Sequence, residues 1–159
     1  MEKEKRIFGW LPCPVVFVAT AHGEKRDIMT ASAMFVSEKE PLVAISVAKN
    51  HLTDRLISDA GAFTLIIASE SQKDLALKLG SVKGEEKDKF RSFSIITTKN
   101  SSGQSIIPEG AAAWMECSVE SVQEIKGYHV VIGRVTAEKH LGHPPLVWQQ
   151  DAFFGLRPF

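Results

Sequence analysis

Residues 42–67 read LVAISVAKNHLTDRLISDAGAFTLII. Two short apolar runs, 42–47 and 63–67, flank a stretch in which Leu52, Leu56, Ile57 and Ala60 recur near helical spacing. Runs of that length and character are strands buried on both faces or curled around a core, and the segment between them predicts one short helix. Asn50 or Thr53 can cap its start, and Gly61 can follow its end.

PVVFVAT (14–20), the turn-like AHGEKRD (21–27) and a second run, IMTASAMFV (28–36), give a hairpin pattern. A second helix is expected over 71–80, SQKDLALKLG, with Ser71 as N-cap, Asp74 three residues on and Gly80 at the stop. From Ala113 to Glu120 apolar and polar residues alternate, which indicates a strand with one wet face. YHVVIGRVTAEKH (128–140) is another long strand, and Gly133 within it marks a bulge or a close approach by another backbone or a ligand. PLVW (145–148) and AFFGL (152–156) can each add a short strand. Many strands, two short helices and closely spaced turns predict a mainly β fold, a Greek-key barrel with helices packed outside.

The 159 residues, 44% apolar and 24% charged, suit one domain spanning 1–159. Nineteen basic and nineteen acidic side chains leave no net charge, which argues against a nucleic-acid ligand. The charge-dense stretch KGEEKDKFR (83–91) alternates in sign and suits a solvated helix or loop. Cys13 and Cys117 lie far apart with no ligand spacing, so both read as buried thiols, and the five His show no metal pattern. The apolar part of the N-terminus is broken by Pro12 and Pro14, and no stretch approaches the length of a membrane span, so a cytoplasmic protein is expected. There is no GxSxG, HExxH, GxxxxGK[ST] or GxGxxG motif.

Two segments carry chemistry. Thr30-Ala31-Ser32-Ala33 places small and hydroxyl side chains where strand propensity favours Val or Ile. Such a wall admits a flat ring and offers hydroxyls and amides to its polar edge; it serves equally for a tight core contact beneath a helix. The second segment, 46–53 (SVAKNHLT), joins a strand to a helix N-terminus, where unpaired N–H groups, Lys49 and His51 make a site for one phosphate. Alternatively, Asn50 or Thr53 merely caps the helix.

At these residues the sequence resembles the flavin reductase-like, FMN-binding split-barrel proteins. The resemblance covers nearly the whole chain: PCPVVFVAT, DIMTASAMFVS, EKEPLVAISVAKNHLTDRLI, GAFTLIIAS, DKF, PEGAAAWMECSVE, GYHVVIGRV and PLVWQQDAFFGL follow in order. It implies a six-stranded antiparallel Greek-key split barrel with short peripheral helices, a homodimer, and one FMN per subunit near the interface. By position, Thr30, Ala31, Ser32 and Ala33 would lie along the isoalloxazine and ribityl chain. Ser46, Val47, Lys49, His51 and Thr53 would surround the ribityl and phosphate, with the helix starting near Asn50 aimed at that phosphate. His129 falls where many flavin reductases carry Gly-Asp-His and would contact the nicotinamide, but Tyr128 replaces the acid that could orient it. The implied activity is hydride transfer from NAD(P)H to FMN and onward to free flavin, ferric iron or a partner protein, with no protein nucleophile and no metal. The alternative is a flavoredoxin-like carrier, reduced by another redox protein.

Overall fold

The computed structural model describes residues 7–85 and 87–159. Residues 1–6, the charged start of the chain, and residue 86 of the charge-dense stretch lie outside the described residues. In chain order the strands are β1 (Cys13–Pro14), β2 (Val16–His22), β3 (Lys25–Ala31), β4 (Ala33–Ser37) and β5 (Leu42–Ala48), followed by helix α1 (Leu52–Ala60) and β6 (Ala62–Ile67). Then come α2 (Lys73–Gly80), α3 (Lys89–Ser92), β7 (Thr97–Lys99), β8 (Ser105–Pro108), β9 (Ala113–Ile125), β10 (Tyr128–His140), β11 (Leu146–Gln149) and β12 (Ala152–Gly155).

The main sheet has seven strands in the order β3-β2-β6-β9-β10-β5-β4, every neighbouring pair antiparallel. Its two edges, β3 and β4, are consecutive in the chain and separated by Ser32 alone. The expected single run over 28–36 is therefore two strands. One half pairs with β2 and the other with β5, so the sheet's edges converge on one residue without hydrogen bonding to each other. This corrects the expected six-stranded split barrel in its strand count: the fold is mainly β, as expected, but twelve strands among the described residues form this seven-stranded sheet, a three-stranded sheet (β1-β11-β12) and the β7-β8 pair.

Burial follows the strand period. Along β2, Phe17 and Ala19 enter one apolar cluster with Ile66, Leu79 and Trp114, while Val16 and Val18 enter the other with Val47, Phe63 and Val131. The continuous apolar run is a strand covered on both faces, as its composition predicts. β5 differs. Val43, Ile45 and Val47 are buried, but Ser46 between them is exposed, so only one face of this run is covered.

Gly133 marks a bulge, as expected, and what approaches it is a side chain rather than another backbone or a ligand. The β9-β10 register shifts between Ile132 and Gly133, and a Cβ at Gly133 would lie 2.5 Å from Phe63 Cζ. Helix starts depart from expectation. The N-cap of α1 is His51, with no side-chain cap bond, and neither Asn50 nor Thr53 fills that role. Ahead of α2 the reciprocal cap is formed by Ser69 and Gln72 around a 3-10 turn rather than by Ser71 and Asp74. Cys117 is buried, whereas Cys13 is only half-buried. Among the described residues no helix is long and apolar enough to cross a membrane.

Candidate functional site

The first turn of α1 is tied by side chains to two strands of the main sheet, β3 and β10. Thr53 donates its hydroxyl to Asp27 Oδ2 on β3 at 2.7 Å. The adjacent Asp54 meets His129 on β10, with Oδ1 2.6 Å from Nδ1, and its Oδ2 accepts the Asn50 amide at 2.9 Å. Asn50 is in the left-handed region (φ 68°), and its carbonyl accepts from Arg55. These bonds fix the turn from β5 into α1 while leaving the helix's leading amides without a side-chain cap.

That turn lines a polar cavity of about 330 Å³, together with Thr30, Ser46, Tyr128, Lys89 and the loop 81–85. The loop closes tightly over Asp27: a Cβ on Gly84 would fall 2.6 Å from the Asp27 carboxylate, so only glycine fits. Glu85 bridges the loop to α1 through Arg55 at 3.2 Å. Slight burial works to raise the Glu85 carboxyl, but a backbone hydrogen bond and the charges of Arg55 and His51 outweigh it and hold the group low. Beneath the loop, Lys89 and Asp27 are both 4% exposed and 3.5 Å apart. Lys89 also donates to the Ile28 carbonyl at 2.8 Å. Because Asp27 balances Lys89, the cavity's attraction for an anion falls to the α1 amides, His51 and Lys83.

Two further cavities adjoin it. One, of about 420 Å³, shares Thr30, Gly80 and Ser81 with the first and, apart from Ser32 and Cys13, is otherwise apolar, walled by Ala31, Leu77, Trp148 and Phe153. The other, of about 460 Å³, shares Ser46 with the polar cavity and Cys13, Pro14 and Ser32 with the apolar one, and runs along β4 past Ala33 and Met34. The small-residue segment thus stands where three cavities meet.

Of the residues singled out in the sequence, Thr30, Ala31, Ser32, Ala33, Ser46, His51 and Thr53 line these cavities. Thr30 also donates to the Ala76 carbonyl of α2 at 2.6 Å, so its hydroxyl belongs to helix packing. Val47 is fully buried in the core. Lys49 points away and pairs with Glu124 at 2.7 Å. Asn50 does not line the cavities, and His129 projects from the opposite face of β10 to Tyr128, the residue that lines the polar cavity. The acid that Tyr128 displaces from its own position is supplied to His129 by Asp54. Asp27, Lys89, Trp148 and Phe153 are not marked as site residues by the sequence, which presents Tyr128 only as the residue in place of an acid. For Lys89 the available signal was Phe90 beside it, an apolar residue inside an otherwise charged stretch.

The sequence matches the model of the flavin reductase like domain over residues 8–157. It is 29% identical to the stachydrine N-demethylase reductase subunit Stc3 of Rhizobium meliloti over 94% of this chain, but spans only 64% of that relative. It is 31% identical to the reductase subunit HsaB of a flavin-dependent monooxygenase of Mycobacterium tuberculosis, over 97% of this chain and 81% of the relative. Among solved structures, the NADH:FAD oxidoreductase SgcE6 of Streptomyces globisporus C-1027 superposes with a TM-score of 0.86, at 21% identity, over 96% of this chain and 91% of that one, a likeness of fold. With the family match running nearly end to end over strands that converge on Ser32, the chain belongs to the flavin reductase-like family.

Proposed function

We propose that this chain is an NAD(P)H-dependent flavin reductase that holds FMN with its phosphate in the polar cavity and its ring against 30–33. The observation that carries this is the uncapped first turn of α1, which lines a cavity that borders an apolar slot along Thr30, Gly80 and Ser81. A monophosphate and a flat ring fit such a pair of neighbouring spaces, one lined by amides, hydroxyls and cations and the other by small and aromatic side chains.

When bound, the flavin supplies the hydride and electron chemistry. The chain's own residues orient and shield. The α1 amides with His51 and Lys83 hold the anionic tail, Ala31 and Ser32 let the ring lie against main chain, and Trp148 and Phe153 keep water from the slot. No side chain is required as nucleophile. The relatives named as reductase subunits support delivery of reduced flavin to a partner protein, with free flavin or ferric iron as other acceptors. Met34, Phe35 and Val36, 67%, 68% and 48% exposed on edge strand β4, support a homodimer in which a second copy covers this face and the cavity beside it.

The second reading is an FMN-binding electron carrier, favoured by the turn of His129 away from the cavity wall. The two separate on mixing FMN-loaded protein anaerobically with NADH or NADPH. Rapid loss of the visible flavin band supports the reductase, and a band that only a protein donor removes supports the carrier. Protein that neither colours with FMN nor changes flavin fluorescence overturns both. Analytical ultracentrifugation tests the dimer, which a monomer at micromolar concentration excludes.

A further inference from the structure

We propose that Asp54 and His129 form a positioning pair for the phosphate end of the site, so that His129 acts on the anion through Asp54 rather than on the nicotinamide donor. Asp54 is the third residue of α1, adjacent to Thr53 and two residues from Leu52, both of which line the polar cavity. A carboxylate there stabilises the helix start but repels an incoming phosphate. In this fold both its oxygens are claimed. His129 Nδ1 lies 2.6 Å from Oδ1, and the Asn50 amide donates to Oδ2 at 2.9 Å.

The pair does two things. It engages the carboxylate's Oδ1 from the β10 side, away from the cavity, and it holds Asn50 in its left-handed turn so that β5 hands over to α1 with the helix amides uncapped. His129 is suited to this by placement: it stands opposite Val47 on the covered face of the sheet, with its side chain 23% exposed, while Tyr128 and Ser46 occupy the cavity side. Asp54 is correspondingly secluded, at 11% exposure. Neither side chain is among those lining the cavities around 30–33.

The assignment rests on FMN being held by its phosphate at α1, and the test separates the two. Flavin fluorescence titration gives Kd for FMN and for riboflavin, which lacks the phosphate. Wild type is expected to prefer FMN. His129→Ala, which leaves Asp54 with one partner, is expected to weaken FMN by about fivefold or more while moving riboflavin by less than about twofold. His129→Asn, which keeps a donor near the Nδ1 position, is expected to retain most of the FMN affinity. Asp54→Asn added to His129→Ala is expected to recover much of the loss, because the repelling charge is gone. KM for NAD(P)H at saturating FMN stays at the wild-type value. Should His129→Ala not fold, His129→Gln carries the same comparison. A raised KM for NAD(P)H with unchanged FMN affinity, or equal losses for FMN and riboflavin, overturns the pair's role. Wild type that binds riboflavin as tightly as FMN overturns the phosphate site and this assignment with it.

Discussion

Thr30 donates its hydroxyl to the Ala76 carbonyl at 2.6 Å, joining the edge of β3 to α2 and forming the wall that the polar and apolar cavities share. Thr30→Val keeps the shape and removes the donor. Losing one such bond costs about 1 kcal/mol, so the urea midpoint is expected to fall, with Thr30→Ser staying close to wild type. Thr30→Val with wild-type stability would mean that this bond does not hold α2 in place.

Gly133 on β10 packs tightly against Phe63 of β6 and Cys117 of β9. A Cβ at Gly133 would lie 2.5 Å from Phe63 Cζ and 2.9 Å from Cys117 Cβ. Gly133→Ala should therefore destabilise by about 1–3 kcal/mol through overpacking. Phe63→Leu in the same chain makes room, and the double variant is expected to be more stable than additivity allows in a denaturation cycle.

How much of this was legible beforehand depends on whether a residue's role is local. Gly133, the helix over 52–60 and the covered strand at 63–67 could be read because glycine, helical spacing and short apolar runs report on neighbours along the chain. The small segment 30–33 stood out for the same reason. What could not be read was where distant residues meet. Residues 28–36 look like one strand because the break at Ser32 is imposed by pairing with β2 on one side and β5 on the other. Lys89, surrounded by Glu, Asp, Lys and Arg in sequence, looks solvated, yet its partner Asp27 is 62 positions away and both are buried. Asp54 serves His129 from another element, so the absence of an acid at 128 suggested an unpartnered imidazole that the fold does not have.

The two thiols should differ sharply. Burial, with a smaller contribution from the neighbouring Glu116 charge, pushes the Cys117 thiol from an ordinary 9.0 up to about 12. Because the folded form holds the proton more tightly than the unfolded form, this stabilisation is complete below pH 9.0 and is lost as pH rises through about 12. Native protein treated with iodoacetamide at pH 8 is expected to label at Cys13 alone, with Cys117 reacting only in denaturant. Denaturation midpoints should fall between pH 9 and pH 11, and Cys117→Ala should flatten that fall. A pH-independent midpoint across this range would contradict the burial of an intact thiol there.

The buried pair beneath the loop 81–85 makes the strongest prediction for stability. Lys89 and Asp27 share one desolvated pocket, with Thr53 and the Ile28 carbonyl completing their hydrogen bonds. Removing the cation alone leaves a carboxylate in a place that water scarcely reaches. Lys89→Met is therefore expected to cost about 3–5 kcal/mol, far more than its loss of packing. Asp27→Asn added to Lys89→Met removes the stranded charge, keeps an acceptor for Thr53 and should recover a large part of that cost. Since Thr53 belongs to the first turn of α1, the single variant should also loosen FMN more than riboflavin, and the double variant should restore the difference. The measurements are urea denaturation and flavin titration of the same four proteins, wild type, each single variant and the double. Additive losses in stability would mean that Lys89 and Asp27 do not interact across their 3.5 Å.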